Sequence, residues 1–163
     1  MAFLTWLEEL GFSRWINESP RIWGFPMFLF MHTLGMSVVA GGSGVIAMAI
    51  LGIWPRTPLK PLARFYPLLL WGFAINAVTG VSLFMKDATS YGRNVDFYIK
   101  LLFVFAGMTL LLVMRRRVFA DPLLDERPTS GQARVLAWAS LFCWLAAIVT
   151  GRLIAYLGPV AGL

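Results

Sequence analysis

"GFPMFLFMHTLGMSVVAGGSGVIAMAILGI", Gly24–Ile53, runs for 30 residues with no ionisable side chain except one imidazole, His32. A helix rises about 1.5 Å per residue, and about 20 apolar residues suffice to cross a bilayer's hydrocarbon. The stretch is therefore long enough to be a transmembrane helix. Three more blocks share its character: Leu62–Met85, Phe97–Met114 and Gln132–Leu157. Composition agrees, because 59% of the 163 residues are hydrophobic and only 13% charged, about half the roughly 25% usual for soluble domains. The expectation is an all-α integral membrane four-helix bundle, one membrane domain over residues 1–163.

Ahead of the first span, "MAFLTWLEELGFSRWINESP" does not have the pattern of a cleavable signal peptide. Such a peptide places a basic segment before a short apolar core, whereas Glu8 and Glu9 come early here and Pro20 closes the stretch. Phe3, Leu4, Trp6, Leu7, Leu10, Trp15 and Ile16 recur mostly at helical spacing. That spacing predicts an amphipathic helix over about 3–18, lying in the interface with tryptophans at headgroup level. A flexible tail is the competing reading.

An even number of spans puts both termini on one side. The first and third connections carry eight basic residues, Arg56, Lys60, Arg64, Arg115, Arg116, Arg117, Arg127 and Arg134. The terminal side carries five, Arg14, Arg21, Lys86, Arg93 and Lys100. Lys and Arg counts set orientation, and the richer side stays cytoplasmic. The expected location is a bacterial inner membrane with both termini periplasmic. Basic residues flanking apolar spans also explain the net charge of +6 without a nucleic-acid surface. Between the last two spans, Pro122, Pro128 and Gly131 punctuate a polar connector, with Thr129 or Ser130 as candidate N-cap of the final helix. Cys143 is the only cysteine, so no internal disulfide is available.

Depth along the helices then sorts the polar residues. His32 lies roughly 12 Å in from the outer end of span one. Asn76 and Thr79 sit in the outer part of span two, Lys100 near the start of span three, and Arg152 and Tyr156 near the end of span four. Every helix thus contributes a polar group to the same half of the bundle. Charged groups within a membrane face the bundle interior, a cavity or the interface. Lys100 and Arg152 are shallow enough to snorkel to water. His32 is deeper, and its structural reading is a neutral imidazole bonded to Asn76 or Thr79 of a neighbouring helix.

The functional reading uses two neighbours of that histidine. Gly35, Gly41, Gly42 and Gly44 line the same helix, and small residues admit either a close helix or a flat ligand. Cations lie nearer the surface than His32. A haem with iron on His32 would direct its propionates outward toward Lys100 and Arg152, as charge-assisted carboxylate contacts favour. The candidate metal ligand is His32, and the candidate cofactor-binding residues are His32, Lys100, Arg152, Asn76, Tyr156 and Gly35. A zinc site needs several His or Cys ligands, and no phosphate loop, GxSxG elbow or HExxH is present. Met27, Met31 and Met36 admit copper, although methionine is also ordinary apolar filler.

The segments "WGFPMFLFMHTLGM" (Trp23–Met36), "GFAINAVTG" (Gly72–Gly80) and "GRLIAY" (Gly151–Tyr156) together resemble an uncharacterised family of small four-helix bacterial membrane proteins. More remotely, the layout is similar to copper-resistance-D-type and HemJ-type membrane proteins. The second resemblance implies a four-helix b-haem protein tied to protoporphyrinogen oxidation. It also implies a functional His on span one and a functional Lys early in span three, matched here by His32 and by Lys100 within "FYIKLLFVFAG".

Three functions stay open on the sequence: b-type haem binding in electron transfer, a non-catalytic subunit or scaffold with a membrane-protein partner or in a homo-oligomer, and small-solute transport. A short echo between "NAVTG" (Asn76–Gly80) and "AIVTG" (Ala147–Gly151) is too brief to establish a repeat.

Overall fold

A computed structural model describes residues 2–19, 22–54 and 57–157. Pro20, Arg21 and Arg56, used above, lie outside the described residues. Among those described there is no strand, and the helices are α1 (Ala2–Glu9), α2 (Gly11–Glu18), α3 (Phe25–Met36), α4 (Gly42–Leu51), α5 (Tyr66–Lys86), α6 (Ala88–Tyr91), α7 (Val95–Arg117) and α8 (Gly131–Leu157). A π turn, Ser37–Gly41, joins α3 to α4, and a 3-10 helix, Lys60–Phe65, leads into α5. Four stretches are long and apolar enough to cross a membrane: Phe25–Leu51, Lys60–Lys86, Val95–Arg117 and Gly131–Ile154. The chain is a polytopic four-helix membrane bundle.

The helix expected over 3–18 is two helices. The chain breaks at Leu10, whose φ of −57° and ψ of 138° are not helical. The Ser13 hydroxyl donates back to the Leu7 carbonyl at 2.7 Å across the break. Phe3, Trp6, Phe12 and Trp15 stay exposed, in stacked pairs Phe3–Trp6 and Phe12–Trp15, an amphipathic surface suited to an interface. The opposite side packs on α5 and α6, with Ile16 fully buried. Glu8 accepts from both the amide and the hydroxyl of Thr89 at 2.7 Å, tying α1 to α6.

The π turn decides how the first span is used. Thr33 and Ser37 hydroxyls donate to carbonyls four residues back, Leu29 and Thr33, a pattern that bends helices. Before the turn, α3 packs chiefly on α5. After it, α4 packs chiefly on α8. The extra residue in a π turn rotates the helix face, so one span serves two neighbours. The bundle becomes two hairpins, α3–α5 and α7–α8, joined through α4.

Burial divides along the same line. Val39, Ile46, Ile50, Tyr66, Leu69, Leu111 and Met114 belong to the main hydrophobic core, in the half remote from the N-terminus. The half beside the N-terminal helices, here the N-face half, holds buried Asn76, Thr79 and Ser82. At the remote end Asp125 accepts from the amides of Leu59 (2.6 Å) and Lys60 (3.2 Å), clasping the third connection to the first. Ser130 accepts from the Ala133 amide at 3.2 Å and is the N-cap of α8.

Candidate functional site

Gly35 sets the spacing of the site. A Cβ there would lie 2.7 Å from the Gly72 carbonyl oxygen and 2.9 Å from the Asn76 amide nitrogen. The backbones of α3 and α5 therefore touch, and the room that Gly35 might have left for a flat ligand is taken by α5. Its expected cofactor role gives way to helix packing, the commoner use of small residues in membrane bundles.

One turn up, His32 meets α5. Its Nδ1 is 3.0 Å from the Asn76 carbonyl oxygen and 3.3 Å from Thr79 Oγ1. A carbonyl can only accept, so Nδ1 carries the proton and donates. The Asn76 side-chain amide donates in turn to the His32 carbonyl at 2.8 Å. Gly80 completes the socket, because a Cβ there would fall 2.9 Å from His32 Cε1. Nε2 makes no hydrogen bond among the described residues, so the ring in its neutral form presents a bare lone pair there.

The second hairpin repeats the device. Thr79 Oγ1 donates to the Ile75 carbonyl (2.6 Å) and approaches that of Asn76 (3.2 Å). Thr150 Oγ1 does the same with Ala146 (2.7 Å) and Ala147 (3.3 Å). Each threonine precedes a glycine covered by a basic side chain from the preceding span. Gly80 lies under His32, and a Cβ on Gly151 would meet Lys100 Cδ and Cε at 3.5 Å. The V-T-G echo marks two like-built seams. Lys100 is half-buried, lies within electrostatic reach of His32, and has no hydrogen bond or ion pair among the described residues. Beyond it, burial, with Asp87 adding, pushes the Tyr91 phenol above its ordinary range, and that ring packs 5.6 Å from Phe97.

Comparison with protein-family models, curated proteins and solved structures finds no match to this chain.

Of the expected site residues, His32 and Asn76 therefore come together, while Lys100 lies against Gly151 on the other hairpin. Arg152 and Tyr156 do not join them: both are exposed, Tyr156 by 66%. Thr79, expected as a hydrogen-bond partner of His32, takes that place, whereas Gly80 and Gly151 are site residues that the sequence showed only as an echo. Deeper in the bundle, Ser43 Oγ, Ser140 Oγ and Trp144 Nε1 are buried with no hydrogen-bond partner among the described residues. Buried groups of this kind are usually met by ordered water. Among the described residues no group of three or more His, Cys, Asp or Glu could hold a metal ion.

Proposed function

We propose that this polytopic membrane protein binds b-type haem in the N-face half of the bundle through His32 and serves electron transfer in a bacterial inner membrane. The observation that carries the reading is a ring pinned at Nδ1 by the Asn76 carbonyl, with Nε2 bare. Ligating histidines commonly donate their other nitrogen to a carbonyl, which fixes tautomer and orientation and raises basicity at the free nitrogen. The fit extends to Lys100, whose unpaired ammonium suits a carboxylate of the group. It does not extend to Gly35, Arg152 or Tyr156. Bound haem would supply one-electron redox chemistry; the chain supplies ligation, orientation and a low dielectric.

A second reading, a non-catalytic subunit or scaffold for a membrane partner or a second copy, is favoured by the Gly35–Gly72 contact. With α3 and α5 already touching, the Nδ1 bond also serves as a seam tie between helices. The two readings differ at Nε2. Expression with haem supplied, followed by an absorption spectrum of the purified protein, separates them: the haem reading expects a Soret band that Asn76→Ala keeps and His32→Ala loses. A colourless wild-type protein favours the scaffold.

A further inference from the structure

The end of the bundle remote from the N-terminus carries a separate feature. Arg115, Arg116 and Arg117 finish α7, Arg127 lies in the following connection, and Arg134 is in the first turn of α8. None of the five has an ion pair among the described residues. The nearby acids are turned elsewhere. Asp121 accepts from the Leu123 amide at 2.9 Å, and Asp125 accepts from the Leu59 and Lys60 amides. Of the three acids in this connection, only Glu126 makes no side-chain hydrogen bond among the described residues. Arg115 also lies over the Tyr66 ring, 5.6 Å from its centroid, and Arg116 and Arg117 are exposed.

Between the end of α7 and the start of α8 is a groove of about 460 Å³. Its lining includes the polar Arg117, Ser130 and Gln132 and the apolar Val118, Val135 and Leu136. It opens where the apolar lengths of α7 and α8 end, the depth at which hydrocarbon gives way to headgroups.

We propose that this groove is a binding site for an anionic phospholipid, whose phosphate meets Arg117 while the upper acyl chain lies along Val135 and Leu136. Charge complementarity selects the occupant. A basic cluster at a span end attracts anionic lipid by about fivefold in affinity per cation near the surface. A zwitterionic lipid offers the same phosphate together with an ammonium that the arginines repel. A free phosphate lacks the chain that the apolar lining residues receive. The site is independent of His32 and of any haem.

Native mass spectrometry of the full-length protein in neutral detergent tests this, with phosphatidylglycerol and phosphatidylcholine titrated in parallel. The expected result is preferential retention of phosphatidylglycerol, reduced about fivefold by Arg117→Gln and unaffected by Arg14→Gln, an equal charge loss at the other end. Arg117→Lys keeps the charge and retains part of the preference. Equal retention of the two lipids by the wild-type protein overturns the proposal, and this arm needs no variant to fold. Full displacement of bound lipid by inorganic phosphate, or equal loss in Arg14→Gln and Arg117→Gln, overturns it as well.

Discussion

His32 and Asn76 hold each other twice: the ring Nδ1 donates to the Asn76 backbone carbonyl at 3.0 Å, and the Asn76 side-chain amide donates to the His32 carbonyl at 2.8 Å. Each bond joins a side chain of one helix to the backbone of the other, so either can be removed without the other. The expected cost of His32→Ala or Asn76→Ala is about 1 kcal/mol each, and because the two residues touch, the double variant should lose more than either single one but less than their sum. Unfolding in mixed micelles with increasing SDS measures this. A double variant no less stable than either single one would show that the two bonds act as one.

Gly35 and Gly41 lie on the same span with opposite surroundings. A Cβ on Gly35 meets the α5 backbone, whereas one on Gly41 meets nothing within 4 Å. Backbone cannot swing aside as a side chain can, so Gly35→Ala should destabilise by about 1–3 kcal/mol. Gly41→Ala should be neutral or gain about 0.5 kcal/mol from reduced chain entropy. The same SDS titration decides it, and equal effects at the two positions would contradict the α3–α5 contact.

The Asp125 clasp makes a local prediction. Asp125→Ala removes the acceptor for the Leu59 and Lys60 amides, a loss comparable to a helix cap and worth about 1 kcal/mol. The connection over 118–130 should then be cut faster in limited proteolysis, while connection 87–94 keeps its wild-type rate. Unchanged cleavage in the third connection would show that the clasp does not hold it.

Orientation can be read by accessibility. Thr57 and Ser90 lie on connections at opposite ends of the bundle. With a Cys143→Ser background, a membrane-impermeant maleimide applied to cells with a permeabilised outer membrane should label Ser90→Cys and spare Thr57→Cys. The reverse pattern would place the arginine-rich end outside and overturn the charge-based orientation.

The spans were legible because transfer free energy depends on composition over a long window, and Gly24–Ile53 leaves no doubt of it. The pairing of His32 with Asn76 and Thr79 was also within reach, since depth follows from counting residues. Depth says nothing about the direction a side chain takes around its helix. Arg152 and Tyr156 share the depth of the site yet face outward. The π turn at Ser37–Gly41 was hidden for a related reason: one added residue changes which neighbour each half of the span meets and leaves hydropathy unaltered. The break at Leu10 was likewise masked, because apolar spacing continues through it. Gly35 had two readings on sequence, and only the position of the Gly72 carbonyl chose between them.

The proposed haem binding requires ligation through the bare Nε2 of His32. His32→Gly, purified with haem supplied, tests it most directly when followed by absorption spectroscopy during addition of free imidazole. The expected result is a Soret band in the wild-type protein, its loss in His32→Gly, and its return as imidazole enters the vacated position. A wild-type protein without the band, or a band that persists in His32→Gly before any imidazole is added, would contradict it.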